Sequence, residues 1–323
     1  MPEETERLAA DEAGITRAAE LLASGALVAF PTETVYGLGA DARNGLAVAG
    51  IYEAKGRPCF NPLITHVSDI GRARKIARFP EAVLPFIRNG WPAGLTLVVP
   101  MRERNGISSL VTAGQSTVAI RVPVWPAAKA LLRAFGGPIA APSANPSGRI
   151  SSTTADHVMT GLRGRIAAVL DDGASSAGIE STIIGLRDEE PVVLREGAYV
   201  VPDGVPRVTS PADVSSGVDS PGQLASHYAP SGLVRMNARV AEPGEWHLGF
   251  GDIKGNATLS HDGDLREAAT RLFAAFHEAD ARGVERIAVA PIPDQDLGRA
   301  INDRLRRAAA PRPGLGQGGQ PCG

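Results

Sequence analysis

Lys55, Gly56, Arg57 and Pro58 place two cations and a glycine in a proline-stiffened loop directly after a helical stretch, as a phosphate cradle requires. Arginine offers a planar fork of donors and lysine a point charge, and together they can hold a polyphosphate. A solvated basic turn has the same composition, so the segment KGRPCFNPL supports anion binding only in company. Asn61 and His66 follow within short reach. His66 lies in an apolar run, where a histidine packs as readily as it binds. Cys59, in the variable part of the loop, reads as packing.

Three further segments carry groups of the right type. In PTETVYGLGAD, expected as a loop throughout, Thr32, Thr34 and Tyr36 follow a buried strand, and loops at strand carboxyl ends of α/β sheets commonly meet ligands. The same hydroxyls also suit a helix cap. In PIAAPSANPSGRISSTTADHV, Ser143, Asn145, Ser147 and Ser151 crowd a loop before a helix start near Thr153, small enough for close approach to phosphate or ribose. An Asx or Ser turn explains them equally. GIESTIIGL and PVVLREG add Ser181 and Arg195, the latter suited to a buried phosphate or to an exposed acidic neighbour. There is no G-x-x-x-x-G-K-[ST], H-E-x-x-H, C-x-x-C or G-x-S-x-G, so neither a P-loop nor a covalent nucleophile is called for. GLGAD lacks the full dinucleotide fingerprint.

The elements that must position these groups alternate strand and helix. Ile15 to Leu22 recur at helical spacing, followed by Gly25 and the strand-like ALVAF; a second helix spans Leu46 to Ala54 and leads through the basic loop into LITHV. LTLVV, TVAIRVP, PIAAPSAN, IAAVLD, STIIGL and PVVLREG add strands, predicting a large α/β sheet over residues 1–201. Residues 202–230, dense in Pro, Gly, Ser and Asp, read as a linker. LVRM, HLGF and IAVAPI around helices near Leu265–Ala281 and Leu297–Ala308 predict a small α/β domain over 231–310, and residues 311–323 read as a disordered tail.

At 323 residues two domains are expected. The 33 Lys and Arg against 35 acids leave no overall field for nucleic acid, so any anion site is local. Two distant cysteines, Cys59 and Cys322, make neither a disulfide framework nor a zinc site. An acidic amino terminus unlike a signal peptide and the lack of a membrane-length apolar run point to the cytoplasm, with no membrane partner.

In order along the chain, PTETVYGLGAD, KGRPCFNPLITHV, STVAIRVP, APSANPSG, GIESTII and VLREG resemble the L-threonylcarbamoyladenylate synthase family with its YrdC-like catalytic domain. SPGQLASHYAP and AINDRLRRAA extend the resemblance to the longer form with a linker and an extra domain. It implies an α/β fold: a large twisted mixed-sheet YrdC-like domain with helices on its faces, plus a small Rossmann-like C-terminal domain. It also implies an adenylyltransferase that makes threonylcarbamoyl-AMP and pyrophosphate from L-threonine, bicarbonate and ATP. The product then serves proteins that modify the adenosine beside the tRNA anticodon, with at most weak tRNA contact by this chain.

By the resemblance, Thr34, His66, Arg121, Ala141 and Ser181 hold threonine, with Arg121 suited to its carboxylate. Arg57, Asn61, Thr117, Ser143, Ser151 and Arg195 match ATP-binding positions, and Tyr228 matches a linker residue that reaches the nucleotide. Lys55 is expected near the phosphates and shares the catalytic role with Arg57. Mg2+ is expected with ATP, without a protein-built metal site. The alternative is a module that binds double-stranded RNA or tRNA without catalysis, distinguished by steep salt dependence and no nucleotide turnover. A carbamoyl-transfer enzyme of the hydrogenase-maturation kind would need zinc-binding cysteine pairs, which Cys59 and Cys322 do not form.

Overall fold

The computed structural model describes residues 4–208 and 227–311. The central part of the expected linker and nearly all of the expected tail lie outside these residues.

The first unit runs β1 (Glu6–Ala9), α1 (Glu12–Ala23), β2 (Val28–Phe30), β3 (Gly37–Asp41), α2 (Gly45–Lys55), β4 (Ile64–His66), α3 (Ile70–Ile76) and α4 (Leu84–Gly90). It continues with β5 (Leu95–Pro100), β6 (Thr117–Arg121), α5 (Pro126–Phe135), β7 (Ile139–Ala140), α6 (Ala155–Leu162), β8 (Ala168–Asp171), β9 (Thr182–Arg187) and β10 (Glu190–Arg195). Among the described residues the strands form one ten-stranded mixed sheet in the order β1-β8-β2-β3-β7-β4-β6-β5-β9-β10. Sequence-distant segments thereby become neighbours: β4 and β6 are parallel with His66 beside Arg121, and β5 joins β9 with Thr96 beside Ile183.

The stretch GLGAD, expected as loop, is strand β3, antiparallel to β2. Its glycines serve close approach: a Cβ on Gly39 would lie 2.9 Å from both Ile139 Cγ2 and Phe30 Cε1. The space they leave takes the Phe30 ring, which meets the His66 ring edge-on at 5.8 Å. The acidic start of the chain contributes edge strand β1, parallel to β8.

The second unit has β11 (Leu233–Arg235), β12 (Trp246–Gly249), β13 (Ala257–Thr258), α7 (Leu265–Ala281), β14 (Arg286–Val289) and α8 (Leu297–Ala309). Its sheet, β11-β14-β12-β13, is parallel throughout, which matches the expected small α/β domain. Its core of Leu272, Phe273, Phe276 and Ile301 runs on without a break into Val35, Ile150 and Ile179 of the first unit. The two units therefore share apolar burial at the loops that carry the candidate site, an arrangement that favours one relative placement.

Candidate active site

The basic loop begins where α2 stops. Gly56 takes the left-handed conformation at φ 60, and the Arg57 amide turns back to the Tyr52 carbonyl at 2.9 Å. Tyr52 donates its hydroxyl to the Asn61 and Leu110 carbonyls, and Arg57 donates to the Asn61 and Pro62 carbonyls at 3.3 and 3.0 Å. The Lys55 ammonium donates to the Ser143 and Asn145 carbonyls, joining the basic loop to the serine loop. Both cations are buried, and neither pairs with a carboxylate among the described residues. Burial first, and then their mutual repulsion for Lys55, drives Lys55 well below its ordinary value; burial brings Arg57 down to about 10. Both side-chain polar atoms of the buried Asn61 also lack a partner among the described residues. Buried cations and an unsatisfied amide are unfavourable alone and become favourable when a polyanion fills the space.

The five residues expected on the threonine side, Thr34, His66, Arg121, Ala141 and Ser181, all line one cleft. Arg121 donates to Glu33 at 2.6 Å and to Thr34 Oγ1 at 2.8 Å, leaving Nε without a partner among the described residues. Glu33, buried and receiving the Val124 and Trp125 amides, was not singled out by motif reading. Arg121 is therefore already oriented by a carboxylate before any ligand arrives. Burial first, then the Arg121 charge, lowers His66 to about 3, so its imidazole is neutral at neutral pH. Ser181 shares a 2.7 Å hydrogen bond with Thr96 and receives Arg195, whose guanidinium also reaches the Ser181 carbonyl at 2.8 Å.

Of the residues expected at ATP, Arg57, Ser143, Arg195 and Tyr228 line the same cleft. Lys55 stands behind Ser143, and Ser151 is turned to the carboxylate of Glu180. Thr117 is set by register. Ile64 pairs with Ala119 and His66 with Arg121, which puts Thr117 near Pro62 and Asn61 and on the same strand face as Arg121. The two ends of β6 are roughly 13 Å apart at the rise of an extended strand. An apolar strip of Ile64, Val98, Ala119 and Ile183 separates them. The cleft thus has a polar end at Arg121 and a cationic end at Arg57, with Asn61 behind it.

Tyr228 closes this cleft from the second unit's side. It is buried in the left-handed region at φ 61, uncommon for a bulky residue, and its hydroxyl has no partner among the described residues. Motif reading also missed Glu180, His227 and Arg304. Arg304, in α8, sits with its guanidinium 5.3 Å from the Tyr228 ring centre and donates to Glu180 at 2.9 Å. No local pattern marks these residues, since their partners lie in other elements.

A second junction stacks His157 of α6 on His277 of α7, with ring centres 3.7 Å apart; His277 Nε2 donates to the Ser151 carbonyl at 3.1 Å. Burial first, then the His277 charge, lowers His157 to about 4 against the opposing Asp156; burial also lowers His277, against its bond to the Ser151 carbonyl and the Asp280 charge. A histidine whose folded value lies below its unfolded value takes up protons preferentially in the unfolded chain, so stability is lost as pH falls from the unfolded value. The thermal midpoint is expected to drop from about pH 6.5 toward 4. Replacing both rings by phenylalanine, which keeps the stack, should make that part of the profile shallower in a pH series of melting curves, leaving the share of His66 and His227, which burial also lowers; an unchanged slope would assign it to other groups.

Among the described residues no group of three or more His, Cys, Asp or Glu could hold a metal ion, and Glu180, the carboxylate on the cleft wall, is paired to Arg304. No helix among the described residues is long and apolar enough to cross a membrane.

Known proteins resemble this chain in sequence and in fold. A family model for the Sua5, YciO and YrdC proteins, described as telomere recombination, matches residues 20–197, and the model of the threonylcarbamoyl-AMP synthase C-terminal domain matches residues 197–310. The threonylcarbamoyl-AMP synthase of Bacillus subtilis (strain 168) is 38% identical over 335 residues, covering 95% of this chain and 96% of that protein. The enzyme of the same name from Pyrococcus abyssi is 37% identical, covering 94% and 96%. The crystal structure of P. abyssi Sua5 complexed with L-threonine superposes with a TM-score of 0.85 at 34% identity, covering 94% of this chain and 97% of that one.

Proposed function

Because the chain belongs to the threonylcarbamoyl-AMP synthase family, over both the Sua5/YciO/YrdC domain and the C-terminal domain, we propose that its cleft joins L-threonine, bicarbonate and ATP into threonylcarbamoyl-AMP. The observation that carries the reading is the division of one cleft. At one end Arg121, Thr34 and His66 offer an oriented cation, a hydroxyl and a neutral imidazole. At the other, Arg57, with Lys55 behind it, is a buried cation without a carboxylate partner among the described residues.

In this reading the threonine carboxylate meets Arg121 and Thr34, and the triphosphate lies along Arg57, Asn61, Ser143 and Arg195. The threonine amine attacks the bicarbonate carbon, water leaves, and a carbamate remains. A carbamate oxygen then attacks the α-phosphorus; the bond to the bridging oxygen breaks, and pyrophosphate departs with that electron pair. Both nucleophiles belong to substrates, so the protein's part is positioning, charge neutralisation and exclusion of water. Tyr228, buried over the cleft, suits the last of these. Magnesium would travel with the nucleotide, held chiefly by its phosphates. The product is a reactive mixed anhydride, so proteins that transfer the threonylcarbamoyl group to tRNA must receive it quickly, in the cytoplasm where tRNA is found; any direct tRNA contact would be weak.

The test is pyrophosphate release together with mass analysis of the product. Release is expected only when threonine and bicarbonate are both present, and 13C-bicarbonate should place one heavy carbon in the adenylate. Release indifferent to threonine, with no labelled adenylate, would replace this reading with simple ATP hydrolysis.

A further inference from the structure

Glu180 is the only carboxylate among the described residues that line the cleft, and it lies on the wall shared with Arg57 and Arg195. A carboxylate there would repel a triphosphate. Its two oxygens are nevertheless both engaged: one receives the Ser151 hydroxyl, and the other receives Nε of Arg304 at 2.9 Å. Arg304 is wholly buried, at 0% exposure. Its second arm donates to the Glu196 carbonyl at 2.6 Å and to Asp303 at 3.0 Å, and its guanidinium lies beside the Tyr228 ring. A single side chain from the second unit therefore ties two parts of the first, the loop bearing Ser181 and the turn after Arg195, to the segment bearing Tyr228.

The surroundings reinforce this placement. Gly178, two residues before Glu180, has φ +70, and a Cβ there would lie 2.4 Å from Thr270 Cα of α7. Only a glycine allows the Glu180 loop to approach the helix so closely. Thr270 in turn donates to the Ser176 carbonyl at 2.8 Å. The second unit thus grips the loop at two points before Arg304 reaches the carboxylate.

We propose that Arg304 is a positioning residue for ATP: by fixing and neutralising Glu180, it makes the wall beside Arg57 and Arg195 compatible with a polyanion and gives the C-terminal domain a part in substrate binding. The inference rests on the reading that ATP lies against Arg57 and Arg195. Without Arg304 the Glu180 charge faces the phosphates across a poorly solvated space, where Coulomb repulsion is weakly screened. Threonine, at the Arg121 end, should notice little: of its expected contacts only Ser181 neighbours Glu180, and Ser181 keeps its bonds to Thr96 and Arg195.

The experiment is titration calorimetry of the full chain with ATP and with L-threonine, alongside steady-state KM values for both. Arg304→Met is expected to weaken ATP about tenfold or more while threonine shifts by less than about twofold. Adding Glu180→Gln to that variant removes the stranded charge and should return ATP affinity to within about threefold of wild type. Wild-type ATP binding in Arg304→Met, equal losses for both substrates, or no recovery in the double variant would each overturn the proposal. If Arg304→Met fails to fold, judged by circular dichroism, Arg304→Lys and the double variant carry the comparison. Both should bind ATP within about threefold of wild type, and a tenfold loss in either would overturn it. Failure of the underlying reading looks different: the wild-type protein itself would then bind no ATP, and both ideas would fall.

Discussion

Replacing Arg121 by glutamine is expected to raise the KM for L-threonine about 100-fold while leaving that for ATP within about twofold. The expectation rests on the proposed site and on the geometry of Arg121. Its guanidinium is held by Glu33 and Thr34, so no side-chain freedom is lost when a carboxylate arrives, and Nε still has a donor to give. A desolvated charge-assisted contact of this type contributes about 3 kcal/mol, which is the two orders of magnitude expected. Glutamine keeps a donor but neither the charge nor the fork. The same change strands the Glu33 carboxylate, which keeps only the Val124 and Trp125 amides at 3.2 and 3.4 Å. Some stability should therefore be lost as well, since a buried charge without its partner is destabilising. The double variant Glu33→Gln/Arg121→Gln separates the two effects. It should recover most of the melting temperature and none of the threonine affinity. Recovery of threonine binding in the double variant would move the threonine carboxylate to another part of the cleft.

The contrast between Arg121 and the basic loop also explains what the sequence allowed to be read. Lys55, Arg57 and Asn61 are neighbours in the chain, so their chemistry is visible as one motif, and the helix that ends at Gly56 is visible in the same few residues. Glu33 and Arg121 lie 88 residues apart and Glu180 and Arg304 lie 124 apart. Pairs so distant in sequence are defined by strand order and domain docking, neither of which a local pattern encodes. The helix Leu265–Ala281 was legible because an amphipathic period sustained over several turns leaves little choice. GLGAD was not, because glycines that ordinarily mark a loop here make room for Phe30 between neighbouring strands. The C-terminal domain showed no chemical motif for the same reason. Its contribution, Arg304, resembles any helix-surface arginine until α8 is packed against Glu180. Lys55 is expected near the phosphates from its motif alone, but its hold on the serine loop through the Ser143 and Asn145 carbonyls depends on residues about 90 positions away.

Arg57→Ala should have two effects of opposite sign, and the pair is more informative than either. In the proposed site the guanidinium meets the triphosphate, so kcat/KM for ATP is expected to fall about 100-fold to 1,000-fold, as removal of one preorganised charge stabiliser does elsewhere. The folded protein without ligand should become no less stable. Burial lowers Arg57 to about 10 from the ordinary 12.5. At neutral pH the group is charged in both folded and unfolded chains, and a folded value below the unfolded one means that the native state holds this charge at a cost. The cost is roughly 3 kcal/mol at about 1.4 kcal/mol per pH unit. Alanine removes it, though it also removes the bonds from Arg57 to the Asn61 and Pro62 carbonyls and leaves a cavity, which offset part of the gain. Melting curves with and without ATP decide the matter. The wild-type midpoint should rise on adding ATP because the polyanion relieves the buried charge, whereas the variant's should start at or above the wild-type value and move little. A variant that melts well below wild type and still gains fully from ATP would show that Arg57 is a structural brace whose charge the nucleotide does not meet.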